Sequence, residues 1–124
     1  MNVNIKDKLI SNELTVGSWL TLPSTAIAEI MCNAGFDWLV VDLEHTTISL
    51  EQAGEMIRTI ELSGTTSSLV RLTSNDENQI KRVMDAGAQG IVVPMVKNAT
   101  DARRAVTATR YPPLGYRGVG LARA

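Results

Sequence analysis

Four short apolar runs recur along the chain, each followed by a stretch of helical periodicity, and this alternation restricts the fold more than any other feature. The runs are Val16 to Leu22, Trp38 to Leu43, Ser67 to Leu72 and Gly90 to Val96. After the first three, Ile27, Ile30 and Met31, then Met56, Ile57 and Ile60, then Ile80, Val83 and Met84 each share one face of a helix. A shorter amphipathic pattern from Asp7 to Glu13 precedes the first run. N-caps are offered by Ser24, by Ser49 with Gln52 at capping-box spacing, by Asn75 or Asp76, and by Asn98, whose helix runs to about Thr109. Gly35, Gly64 and Gly87 supply the stops. No hairpin signal joins the runs, so parallel strands linked by right-handed crossovers are expected. Pro94 falls near the end of the fourth run, where a missing ladder N–H is tolerable.

Four β-α units are half of an eight-unit barrel, which typically needs ~250 residues. The last 15 residues, Arg110 to Ala124, read as a Pro/Gly-rich loop that does not close the pattern. The expectation is therefore an α/β chain comprising the first four units of a (β/α)8 TIM barrel, residues 1–124 being the N-terminal, truncated portion of a single domain. A complete four-strand open sheet is the alternative.

The second and third runs stop in ionisable groups. Trp38-Leu39-Val40-Val41 passes into Asp42-Leu43-Glu44-His45, which holds the single histidine, and Ser68-Leu69-Val70 passes into Arg71. Parallel strands would deliver acid, base and cation to the C-terminal edge of the sheet, where α/β enzymes keep their sites. Each residue also has a plainer reading. His45 is an idle loop histidine in that view, Arg71 pairs structurally with Asp42 or Glu44, and Trp19 packs in the core rather than lining a pocket. Asp42 and Glu44, on one strand face if extension continues, are candidates for direct or water-mediated cation binding, with hydrogen-bonding support preferred.

Composition narrows the classes further. One cysteine, Cys32, excludes an intrachain disulfide and any Cys/His zinc cluster, and it is expected to be inert packing in the first crossover helix. The N-terminus lacks a signal peptide's apolar core, and no run approaches the ~20 residues that span a bilayer, so a cytoplasmic protein without membrane contact is expected. Net charge is −1, yet residues 97–124 hold six basic side chains (Lys97, Arg103, Arg104, Arg110, Arg117, Arg123) and one acidic. They form no continuous basic face with interleaved aromatics, so solvated or interface charge is expected rather than nucleic-acid binding.

Several strings resemble the N-terminal half of the HpcH/HpaI-type class II pyruvate aldolases: Gly17-Ser18-Trp19-Leu20, Ala34 to His45, Val70-Arg71, Val93-Pro94-Met95-Val96 and Arg110 to Gly118. The resemblance implies a (β/α)8 enzyme that reversibly cleaves 4-hydroxy-2-oxo acids to pyruvate, or a related 2-oxo acid, and an aldehyde. His45 would then act with a water as general base at the 4-hydroxyl, and Arg71 would bind substrate and stabilise the enolate. Asp85 would raise the basicity of His45 and Asp42 would lie beside the site; from the residues themselves, Trp19 is a candidate to line the substrate pocket and Glu44 to give support. The resemblance also implies a divalent metal ion (Mg2+, Mn2+ or Co2+) whose Glu and Asp ligands match nothing here and would lie beyond Ala124, and a homo-oligomer, a hexamer. Asp85 stands at the end of the third crossover helix, the face opposite His45, so its role requires either an early helix end or action across a subunit interface. The rival readings are a citrate-lyase-like relative and a non-catalytic half-barrel.

Overall fold

The fold, taken from a computed structural model, is described for residues 4–120. Its elements in order are α1 (Ile5–Ile10), β1 (Gly17–Leu20), α2 (Thr25–Asn33), β2 (Trp38–Asp42), α3 (Leu50–Ser63), β3 (Ser67–Arg71), α4 (Glu77–Asp85), β4 (Gly90–Val92) and α5 (Ala99–Thr109). All four strands are parallel and lie in chain order, β1-β2-β3-β4. This is the sheet that the absence of hairpin signals predicts.

Local chemistry sets the helix bounds. Ser49 and Gln52 close a reciprocal capping box on α3, with Gln52 N donating to Ser49 Oγ at 3.1 Å and Ser49 N to Gln52 Oε1 at 2.9 Å. At its other end Gly64 takes the left-handed conformation, φ 71°, which a side chain would resist. Ser24, Asp76 and Asn98 cap α2, α4 and α5. Asn75 is not the cap of α4; its amide donates instead to the Asp101 carbonyl at 2.9 Å.

Period-two alternation divides the sheet into two faces. Leu20, Val41, Val70 and Ile91 are in register and pack on the helices, where Ala28, Cys32, Ala53, Met56, Ile57, Ile60, Ile80 and Val83 complete the core. Cys32 is buried packing, as expected. The opposite face carries Trp19, Val40, Leu69 and Gly90 in one row and Asp42, Arg71 and Val92 in the next. Large and small alternate on it. A Cβ on Gly17 would lie 1.9 Å from the Trp38 ring, so a further row on this face, Gly17, Trp38 and Ser67, has room for the indole only because its neighbour has no side chain.

At the N-terminal edge of the sheet, α1 is fastened from below. Ile5 is buried and its N–H donates to Ser67 Oγ at 3.3 Å, while Lys8 pairs with Asp37 at 2.5 Å and Asp37 also accepts from Val16 N at 2.8 Å.

Some expected bounds shift. The first helix begins and ends earlier than Asp7 to Glu13, because Asn4 rather than a later residue caps it. β1 is shorter than Val16 to Leu22, and β4 stops at Val92 instead of reaching Val96. Pro94 and a positive φ at Met95 turn the chain there. Ile30, expected on the buried stripe, is 67% exposed; the small Ala28 and Cys32 take the inward positions of α2 instead. The terminal loop, expected to lead nowhere, folds back as far as it is described. Tyr116 N and Arg117 N donate to the Thr107 and Arg110 carbonyls at 3.1 and 2.9 Å. Arg117 is buried rather than solvated. Arg123, and the stretch from Leu121 to Ala124, lie outside the described residues.

Gly17→Ala is expected to destabilise the chain by about 1–3 kcal/mol, since the Trp38 ring must move to admit one methyl group. A urea midpoint lowered with an unchanged slope would show it, and an unchanged midpoint would contradict this account of the glycine.

Candidate functional site

β2 and β3 end side by side, and their last residues, Asp42 and Arg71, are register partners. Adjacent positions on one sheet face bring the two side chains together, and they form a two-pronged ion pair. Arg71 Nε donates to Asp42 Oδ1 at 2.9 Å and Nη2 to Oδ2 at 2.7 Å. This parallel fork is the strong, directional form of an arginine–carboxylate contact. Asp42 is 2% exposed, so its charge depends on that partner.

The same carboxylate organises the loop that follows. Asp42 Oδ1 also accepts from Glu44 N at 3.0 Å and His45 N at 3.4 Å, Thr46 Oγ1 donates to the Asp42 carbonyl, and Ile48 N donates to Thr46 Oγ1 at 3.2 Å. Glu44 lies between guanidinium and imidazole, with Oε2 3.5 Å from Arg71 Nε and Oε1 3.5 Å from His45 Nε2. The His45 side chain is 70% exposed and open to solvent. Trp19, from β1, covers the guanidinium with its ring centroid 4.5 Å from Arg71 Cζ, a cation–π stack.

The Arg71 guanidinium holds the Asp42 carboxyl below the usual carboxylate range; burial works against this, and the Glu44 and His45 N–H groups reinforce it. Arg71 is itself held protonated, chiefly by its bonds to Asp42. Nε and Nη2 are engaged, and no bond from Nη1 is present among the described residues.

Five of the six expected site residues, Trp19, Asp42, Glu44, His45 and Arg71, thus meet at the C-terminal ends of β1, β2 and β3. Asp85 does not join them. It is the last residue of α4, so the helix does not end early, and its Oδ1 accepts from Arg117 Nη2 at 2.7 Å. Arg117 in turn stacks on Tyr111, with Cζ 4.6 Å from the ring centroid. Sequence reasoning missed this pairing, and also missed Thr46 as the brace of the His45 loop. The Asp42-x-x-x-Thr46 spacing, which suits a hydroxyl reaching back to a carbonyl, was the available signal. A hollow of about 450 Å3 lies between α3 and α4, lined by Glu51, Glu55, Arg58, Arg82 and Asp85, away from the cluster.

No three His, Cys, Asp or Glu side chains among the described residues form a group able to hold a metal ion. Asp42 is committed to Arg71. The described residues therefore do not fit a metal's ligand shell. No helix among them is long and apolar enough to cross a membrane.

Four parallel β/α units with a charged cluster at the C-terminal strand ends define a barrel-type α/β chain with an enzyme-like site. Residues 15–122 match the HpcH/HpaI aldolase/citrate lyase family, and the chain belongs to that family. It is 44% identical over 117 residues to a 4-hydroxy-2-oxo-heptane-1,7-dioate aldolase of Salmonella dublin, covering 94% of this chain and 44% of that protein. A protein of the same name from Klebsiella pneumoniae is 45% identical over 122 residues, covering 98% and 46%. The chain thus spans less than half the length of these curated relatives. Among solved structures, the HpcH/HpaI aldolase from Desulfitobacterium hafniense superposes with a TM-score of 0.86 at 35% identity over 97% of this chain and 46% of that one. The citrate synthase SbnG gives 0.85 at 31% over 94% and 47%. The fold is accordingly that of four consecutive units of a (β/α)8 barrel.

Acid should test the Asp42 pairing. Because its carboxyl is held down in the folded state, its stabilising contribution is complete above the unfolded carboxylate value of about 3.9 and disappears as pH falls through the lower folded value. Asp42→Asn is expected to be less stable at pH 7 and to lose stability less steeply below pH ~4. Asp37, also held down, first by Lys8, keeps some acid dependence in both proteins. Parallel acid curves for the two would refute the assignment.

Proposed function

We propose that this chain is the N-terminal half of an aldolase barrel that reversibly cleaves a 4-hydroxy-2-oxo acid to pyruvate, or a related 2-oxo acid, and an aldehyde. The observation that supports it most is the fixed guanidinium of Arg71, clamped by Asp42 and roofed by Trp19, with no bond from Nη1 among the described residues.

The chemistry follows from the bonds that must change. A base takes the proton of the 4-hydroxyl, the C3–C4 bond breaks, the aldehyde departs, and the electron pair becomes the enolate of the 2-oxo acid. Protonation at C3 then gives the ketone. His45 suits the base, acting through a water, since imidazole exchanges protons near neutral pH and this one faces solvent. Arg71 Nη1 suits the enolate oxygen. A donor already held in place stabilises the developing charge without reorganising during the reaction. Trp19 gives one wall to the substrate, and Glu44 steadies both the base and the cation.

Asp85 has a place in this scheme only in the site of a neighbouring subunit, because in its own chain it is the last residue of α4 and pairs with Arg117. That reading carries with it a homo-oligomer, for which a hexamer is our expectation, and a cytoplasmic setting. Divalent metal dependence is general in the family. Two carboxylates against one guanidinium leave the cluster at −1 with His45 neutral, a poor reception for an anionic 2-oxo acid unless a cation is added. We therefore propose that Mg2+, Mn2+ or Co2+ joins the site on carboxylates outside the described residues, and we assign it no step.

The likeness to a citrate synthase supports a second reading, carbon–carbon chemistry on a related 2-oxo acid. Pyruvate release from a 4-hydroxy-2-oxo acid, assayed with each divalent ion, separates the two.

In a full-length enzyme containing this segment, Arg71→Ala should lower stability, since Asp42 loses its partner, and in protein that circular dichroism shows still folded should cut turnover by roughly 10² or more. Arg71→Lys should rescue poorly, because one ammonium cannot hold the Asp42 fork and serve an enolate together. His45→Ala should abolish the aldol step while metal affinity, read by calorimetry, stays near wild type. Near-normal turnover in folded Arg71→Ala would sink the reading.

A further inference from the structure

We infer that Arg117 is a positioning residue for Asp85: through a buried ion pair it fixes the carboxylate that the aldolase reading sends to a neighbouring subunit's His45. The inference rests on that reading and adds to it a residue on the loop after α5.

Asp85 occupies a position that helix chemistry disfavours. It is the last residue of α4, where the free carbonyls and the negative end of the helix dipole repel a carboxylate. A guanidinium 32 positions away in sequence holds it there. Arg117 Nη2 donates to Asp85 Oδ1 at 2.7 Å, the Arg117 side chain is 6% exposed, and its flat group lies on the Tyr111 ring. Burying an arginine to pair with a carboxylate adds little net stability, and apolar residues at 85 and 117 would close the same contact at least as well. The pair is better explained as a device that sets where the carboxylate sits. Locally unfavourable choices of this kind collect at functional sites.

The loop is built to deliver that arginine. Leu114 N and Gly115 N both donate to the Tyr111 carbonyl at 3.1 Å, and Tyr116 N and Arg117 N reach back to the Thr107 and Arg110 carbonyls. The chain passes so close to these last two oxygens that a Cβ at Gly115 would collide with both. Gly120 makes room on the other side, for a Cβ there would stand 3.1 Å from Asp85 Oδ2. One carboxylate oxygen is thus gripped by Arg117, while the other has no bond among the described residues. The side chain is 24% exposed beside the hollow between α3 and α4. A carboxylate held in this way can be met from outside its own chain.

The test uses a full-length enzyme containing this segment. Arg117→Met should lower kcat by roughly 10-fold to 100-fold, the usual cost of losing a group that orients a reacting one, with KM little changed. Arg117→Lys, which keeps a donor for Asp85 but not the flat stack on Tyr111, should recover part of the loss. The double variant with Asp85→Asn should be no slower than Asp85→Asn alone, because the two residues act as one unit. Co-expressed with His45→Ala subunits, themselves inactive, Arg117→Met subunits should regain turnover, since the intact Asp85 and Arg117 of one subunit then serve the intact His45 of another. Damage confined to a subunit's own site would not be repaired in this way. Should Arg117→Met fail to assemble, Arg117→Gln takes its place. Near-normal kcat in the folded variant, losses that add to those of Asp85→Asn, or no recovery in the mixture would overturn the inference. The same mixture made with Asp85→Asn tests the underlying reading. Full turnover of Asp85→Asn, or no recovery on mixing it, removes Asp85 from the neighbouring site, whereas recovery there and none with Arg117→Met rejects Arg117 alone.

Discussion

One carboxylate decides the geometry of the C-terminal edge. Asp42 receives Arg71 on both oxygens and, on the same Oδ1, the backbone of the loop that carries Glu44 and His45. A buried charge with one cationic partner has little freedom to reorient, since other arrangements leave it desolvated without a counter-charge. The strand register makes this possible, because Asp42 and Arg71 are opposite one another at the last pairing of β2 with β3. Backbone pairing thus places the ion pair, the ion pair aims the guanidinium, and the loop hydrogen bonds tie the backbone of Glu44 and His45 to the same carboxylate.

Much of this was legible in the residues. The parallel α/β character followed from runs separated by capped helices, and caps such as Ser49 with Gln52 name their own partners within four positions. The meeting of Asp42, Glu44, His45 and Arg71 was legible because parallel strands bring corresponding ends together. What stayed hidden depends on contacts distant in sequence. Arg117 looked like one of six solvated cations, and only the return of the loop across α5 toward α4 buries it against Asp85 and Tyr111. Ile30 fits the helical period of its neighbours, yet the inward positions of α2 went to Ala28 and Cys32, since a short crossover helix packs close to the sheet when small residues face it. The length of β4 was equally unreadable, for Val93 to Val96 has strand composition and is stopped by the turn at Pro94 and Met95.

The two faces of the sheet are finished to different degrees. Toward the helices, Leu20, Val41, Val70 and their partners are enclosed. On the other face Val40 is buried while Trp19 is not, and the glycines at 17 and 90 leave room for Trp38 and Leu69. Side chains there interlock sideways along the rows, one large residue beside one small, which is how a closed barrel fills its interior. The face is shaped for an opposing wall even where these four strands do not supply one.

The fastening of α1 also bears on the order in which the molecule can be assembled. Ile5 leaves the ribosome before any other described hydrophobic core residue, but its anchor, Ser67, lies 62 positions later, and Asp37, which holds Lys8, is 29 positions on. Until β3 exists the first helix has almost nothing to dock on, and at six residues it is too short to persist alone. The first helix therefore becomes secure only after β3, well behind its own place in the sequence. Its closure reports that the first three strands have already found their register.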